Sequence, residues 1–131
     1  MPSGTFSRPA ATDSLAAGAD LTDKEGYAVK LSSDTAVVMD SDSALTAYGV
    51  VQEGAASGAQ VSVALVESGM VTYVKLAASP GTVNRGTKLG THTDGTFKAT
   101  ASTKNYYAVA LESGAANEEI EAQLITPGVT S

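Results

Sequence analysis

From Leu21 onward, apolar residues recur at every second position over short stretches, and clusters of Gly, Ser, Asp and Asn separate those stretches. This is the period of a half-buried β-strand, and no apolar pattern of period 3.6 persists for the length of a helix. Tyr27, Val29 and Leu31 alternate with Ala28 and Lys30, while Thr35 to Met39 is a β-branched run closed by the polar turn Asp40-Ser41-Asp42-Ser43. Together they predict a first hairpin. Thr46 to Gln52 predicts the next strand. It leads through Gly54-Ala55-Ala56-Ser57-Gly58 into Gln60 to Glu67, where Val61, Val63 and Leu65 share a face. Ser68-Gly69 reads as a reversal, and Met70 to Leu76 returns with Met70, Val74 and Leu76 on one side. Pro80-Gly81 ends that strand, because proline cannot supply the next ladder donor. Met1 to Asp20 differs: it has no period and only Phe6 and Leu15 as sizeable apolar groups. That predicts an extended N-terminal arm over residues 1–20 ahead of a single β-barrel domain over residues 21–131.

The second half of the chain echoes the first. A shift of 60 residues lays Gly26 on Gly86, Val29 on Leu89, Val37 on Phe97 and Gly54-Ala55-Ala56 on Gly114-Ala115-Ala116. After a one-residue slip, Val61, Val63 and Leu65 fall on Ile120, Ala122 and Leu124. The intervening Glu119, Glu121 and Gln123 then face outward, as charges do on a protected edge strand. Asp94-Gly95 stands where a hairpin turn is needed, since glycine takes positive φ without steric cost. Two similar units, about 26–80 and 86–127, each too small to bury its apolar face alone, are expected to close on one another. The fold class expected is therefore all-β: a small β-barrel or β-tulip-like domain built from two similar halves.

Composition narrows the chemistry more than it narrows the fold. Alanine accounts for 22 of the 131 residues and Trp is absent, so the core must be thin. Eight Lys plus Arg against fourteen Asp plus Glu give a net charge of −6, the wrong sign for neutralising phosphates, so nucleic acid is not an expected partner. With no cysteine there is no disulfide, thiolate nucleophile or Cys-based metal site. The N-terminus carries no apolar secretion segment, and the longest apolar run is Tyr106 to Leu111, so no membrane partner is expected. The lone histidine, His92, sits between two threonines beside a turn, and no Gly-x-Ser-x-Gly elbow exists. We therefore expect no catalytic residue and no enzyme.

Three motif fragments fail on inspection. Gly81 to Lys88 has phosphate-loop glycine spacing, but its Lys and Thr are transposed and no helix pattern follows. Asp40-Ser41-Asp42-Ser43-Ala44-Leu45 lacks the glycine of a calcium loop and has Val51 in place of its bidentate glutamate. Asp34-Thr35-Ala36 lacks the glycine of an aspartic-protease motif. The run Asn117-Glu118-Glu119-Ile120-Glu121 is explained as a solvated face, and no metal or cofactor is expected.

A polar arm, then Gly26-Tyr27-Ala28-Val29-Lys30-Leu31, then Ala47-Tyr48-Gly49-Val50-Val51 followed by Gly54 to Leu65, resembles the capsid cement, or head decoration, proteins of tailed bacteriophages. Arg85-Gly86-Thr87-Lys88-Leu89, Tyr107-Ala108-Val109-Ala110-Leu111 and the strand ending near Ile125-Thr126-Pro127 fit the same pattern, so the resemblance covers about Ala19 to Pro127. It implies a structural protein of the virion, on the outer surface of the capsid, made in the bacterial host cytoplasm. Its implied partners are the major capsid protein and further copies of itself, as a homo-trimer or another homo-oligomer. It also implies an arm reaching over neighbouring subunits; in that arm Phe6, with Arg8 and Pro9, is expected to dock into or beside a capsid-protein strand. The alternative is a non-catalytic β-barrel binding module on a phage or bacterial surface structure that recognises a glycan or host receptor. It would need an exposed aromatic platform. Tyr27, Tyr48, Tyr73, Tyr106 and Phe97 fall in predicted strands, which leaves Tyr107 as the loose candidate.

Overall fold

The structure, a computed structural model, describes residues 11–38, 47–100 and 105–129, all of it strand, turn and loop. Its first five strands are β1 (Thr12–Ala17), β2 (Ala28–Ser32), β3 (Thr35–Val38), β4 (Gly49–Glu53) and β5 (Gln60–Leu65). They form a closed barrel in the order β1-β3-β2-β4-β5, with β5 pairing back onto β1. The next five are β6 (Val71–Lys75), β7 (Lys88–Thr91), β8 (Phe97–Ala99), β9 (Asn105–Ala110) and β10 (Glu119–Val129), in a sheet ordered β6-β10-β9-β7-β8.

The two units share one topology. Read from the first strand of each, the barrel runs β1-β5-β4-β2-β3 and the second sheet β6-β10-β9-β7-β8, the same order with every strand advanced by five. The turns repeat bond for bond. Gly26 N–H donates to Val51 C=O at 2.8 Å as Gly86 N–H donates to Ala110 C=O at 2.7 Å. Tyr27 donates to Lys24 at 3.1 Å as Thr87 donates to Asn84 at 3.0 Å. Gly26 and Gly86 hold φ of 87° and 93°, the left-handed conformation that only glycine adopts cheaply. The units differ in closure. β1 and β3 join through a parallel ladder, Ala16 with Thr35 and Ala17 with Ala36, whereas the second unit closes at one parallel bridge, Leu76 with Phe97. These bridges make Ala36, not Val37, the counterpart of Phe97; accordingly Ala36 is fully buried and Val37 only half-buried.

Two further expectations are corrected. Residues 12–17, assigned to the arm, are the barrel strand β1, antiparallel to β5 from Thr12–Ala64 to Ala16–Gln60. Only Leu15 and Ala17 of this strand enter the core, so its hydrophobic signal is faint; backbone pairing on two sides holds it. The Tyr48 hydroxyl also donates to the Asp13 carboxylate, and that bond, with partial burial and the nearby negative charge, raises the Tyr48 pKa. Ser68-Gly69 does not fold β6 back against β5. It carries the chain out of the barrel into the second sheet, where β6 pairs with β10.

The packing explains why several strands are apolar on both faces. Val29, Val51, Val61 and Val63 fill the barrel with Ala17, Leu21 and Ala36. Their neighbours Ala28, Val50 and Ala64 point the other way and join Val74, Leu76, Leu89, Phe97, Tyr107, Ile120 and Leu124 in the second cluster. The sheet β2-β4-β5 is thus buried inside and out, which suits the near-continuous runs Gly49-Val50-Val51 and Val63-Ala64 better than alternation does. Backbone bonds bind the seam: Lys75 N–H donates to Gly26 C=O at 3.0 Å, and Ala28 N–H to Gly95 C=O at 2.8 Å.

Gly95 belongs to the β7–β8 turn, with φ of 83°, and Asp94 organises that turn by accepting from both the amide and the hydroxyl of Thr96. Partial burial pushes the Asp94 pKa up, but the bonds from Thr96 and the nearby His92 outweigh it and leave the pKa lowered. Three outcomes follow. Gly26→Ala combines left-handed strain with a Cβ 2.8 Å from the Lys75 nitrogen, and should cost about 2–4 kcal/mol in urea unfolding. Gly86→Ala meets no atom within 4 Å and should cost only about 1 kcal/mol. For Asp94, the stabilisation is present above its unfolded-state pKa and lost as pH falls through the lower folded value. A carboxyl titration by NMR should therefore place its midpoint below that of an unstructured aspartate, with the Thr96 amide shifting in step.

Candidate functional site

The first candidates are those drawn from the sequence. Phe6, Arg8 and Pro9 lie outside the described residues. His92 is a surface residue, 44% exposed, with Nδ1 3.4 Å from the Asp94 carboxylate and 3.3 Å from the Thr93 hydroxyl. Gly81 to Thr87 lies in the connection between β6 and β7, and Lys88 opens the strand β7 where a phosphate loop would need a helix. Among the described residues no group of three His, Cys, Asp or Glu is placed to hold a metal ion.

The aromatic assignments exchange places. Tyr107, the candidate platform, is 1% exposed within the second cluster; burial raises its pKa, against the lowering effect of hydrogen bonds involving Asn105 and the Ala47 backbone. Tyr73, assigned to core or interface, is 57% exposed. Tyr107 and Ala108 are adjacent yet both buried in the second cluster, next to the register shift of β10 between Leu124 and Gly128, and Tyr106, opposite Gly128, is half-buried. On β6 plain alternation holds, and Val74 fills the interior while Val71 and Tyr73 face out. Burial of the next residue is the only signal that could have found Tyr73.

Tyr73 stands beside a groove of about 250 Å³ at the seam. One wall is Glu25, Gly26, Val51 and Gln52 from the barrel; the other is Thr72, Tyr73 and Glu119 from the second unit. The Glu25 carboxylate is held by the Gly54 amide at 2.8 Å, and the Gln52 amide points at the Met70 sulfur at 3.8 Å. Lys75 is paired across the sheet with Glu119, and Tyr73 with Glu121. The groove therefore combines an aromatic ring, an amide and an excess of carboxylates, on a frame fixed by the Gly26–Lys75 bond.

The β6 backbone along this groove is unusual. Leu76 N–H donates to Glu118 C=O and Leu124 N–H to Met70 C=O, so even-numbered residues of β6 bond to β10 and odd-numbered ones point away. Lys75 spends its outward N–H on Gly26. Val71 and Tyr73 have no such partner for theirs among the described residues. β10, expected as an edge, is instead flanked by β6 and β9, and its glutamates decorate the outer face of an interior strand.

No family model and no curated protein matches the chain. Among solved structures, the chain is similar to the head fiber gp8.5 N base of bacteriophage phi29, with a TM-score of 0.58 and 16% sequence identity over 86% of this chain and 92% of that one. At that identity the likeness is one of fold, and its coverage takes in both units.

Proposed function

We propose that this protein is a structural component of a phage head, a capsid decoration or cement protein bound to the outer surface of the shell. The observation that carries the reading is the fold likeness to the base of a phage head fiber across nearly the whole of both chains. The chain's own residues are compatible with it. Cement function calls for contact surface rather than chemistry, and at the hairpin turn both the Thr93 hydroxyl and the Asp94 carboxylate meet the same His92 nitrogen, Nδ1, instead of flanking the ring as a relay would. In this reading the major capsid protein is the partner, and the residues before β1 reach over neighbouring subunits with Phe6, Arg8 and Pro9 as their anchor. Copies of the chain, as trimers or another homo-oligomer, repeat that contact over the lattice. Many modest contacts on one shell sum to a large stabilisation.

The test is direct. Purified protein mixed with expanded and unexpanded heads should sediment with the expanded ones and raise the temperature at which they disrupt. Failure to bind either form sinks the proposal. At limiting protein concentration, Phe6→Ala should reduce occupancy about tenfold or more, the loss expected for a buried aromatic hot spot; unchanged occupancy would remove the anchor assignment alone.

A further inference from the structure

Natural sheets blunt their edges, because unpaired N–H and C=O groups template the addition of another strand. The barrel unit does so: β1 is sealed by β3 at Ala16 and Ala17, and the Ser14 N–H turns to its neighbour Asp13 at 2.8 Å. The corresponding strand of the second unit, β6, is not blunted. Its closure waits until Leu76, beyond the strand, and over Val71–Tyr73 the outward backbone groups have no partner among the described residues. Val71 and Tyr73 are also two of the three large apolar side chains exposed among the described residues, at 46% and 57%. An open edge, exposed apolar side chains and an adjoining groove thus coincide on three residues.

We infer that the β6 edge at Val71–Tyr73 is a docking site for an extended, basic segment of another polypeptide, which adds to β6 as a short antiparallel or parallel strand. Backbone bonds to residues 71 and 73 would set its register, and main-chain pairing of this kind tolerates varied sequence while adjoining pockets select side chains. The selection here is electrostatic. Glu25 and Glu119 line the groove and Glu121 stands across from Tyr73, against one lysine, Lys75, already set opposite Glu119. In a chain of net charge −6 the groove favours Lys or Arg on the incoming strand, with Tyr73 covering the aliphatic stem. The Gly26–Lys75 bond ends the docking stretch, so the added strand is short and each contact weak.

The inference concerns the docking surface and does not require the head-binding reading. Amide hydrogen exchange of the intact protein reads the edge itself, with two probes: expanded heads, and a decapeptide of alternating Val and Lys with its Val/Glu counterpart as control. The Val/Lys peptide should slow exchange at the Val71 and Tyr73 amides by about tenfold or more, and the Val/Glu peptide should not. Tyr73→Pro removes an outward donor without touching the β6–β10 ladder and should abolish that protection, measured at the Val71 amide; Tyr73→Ala should only weaken it. Heads that bind while neither they nor the Val/Lys peptide protects the two amides would overturn the inference and leave the head reading standing. Peptide protection without head binding would do the reverse. Equal protection by both peptides would overturn the basic character of the partner. No protection by peptide or heads, or a saccharide that binds at Tyr73 while the amides stay unprotected, would overturn the docking edge.

Discussion

The sheet β2-β4-β5 has no solvent face in its middle, and the rest of the molecule is arranged around that fact. Val29, Val51 and Val63 look into the barrel, while Ala28, Val50 and Ala64 look out at the second unit. Such a sheet can be stacked against a neighbour only if one face is nearly flat, and two of its three outward side chains are alanine. The alanine-rich composition, which reads as a shortage of core, is here the means of close approach. Gly26 serves the same end, since a Cβ there would stand 2.8 Å from the Lys75 nitrogen and drive the units apart. Gly95 does so on the other side, where a Cβ would come 2.5 Å from a Val38 methyl.

That docking explains what is left exposed. Two copies of one topology are packed so that strand β6 runs beside the barrel without pairing to it, held at one end by the Gly26–Lys75 bond. The groove and the open edge at Val71–Tyr73 are the residue of this geometry: a perfectly closed second barrel would have neither. Closure by one bridge instead of two residues is a small difference between the halves, and it is where they cease to be equivalent.

How much of this could be read from the chain depends on whether a feature was written in side chains or in pairing. The duplication was legible because Gly26 and Gly86 are each required by the same turn, and because Val61, Val63 and Ile120, Ala122 occupy the same inward positions of β5 and β10; its bounds were not, since the units divide before β6 rather than near residue 80. Strand β1 was not, since Thr12-Asp13-Ser14 offers little to bury and the strand exists through its partners β5 and β3. The destination of the chain after Ser68-Gly69 was equally hidden, because a turn sequence specifies a reversal but not which strand lies beyond it. The exposed face of Tyr73 followed from register, where a single step exchanges inside and outside, and the burial of Tyr107 accompanies the register shift in β10, which no alternation of residues announces. Of the candidate site, the sequence pointed to Phe6, Arg8 and Pro9, outside the described residues, and gave no sign of the seam groove, whose walls come from residues up to 94 positions apart.

The account stands on the two halves being one packed body, neither able to bury its surface alone. Equilibrium urea unfolding followed residue by residue by NMR tests this most directly, with Val51 and Val63 reporting the barrel interior and Ile120 and Leu124 the second unit. The account predicts one transition, with all four residues sharing a midpoint. A barrel that keeps its native signals after the second unit has unfolded would contradict it, because the outer face of Ala28, Val50 and Ala64 would then have proved dispensable.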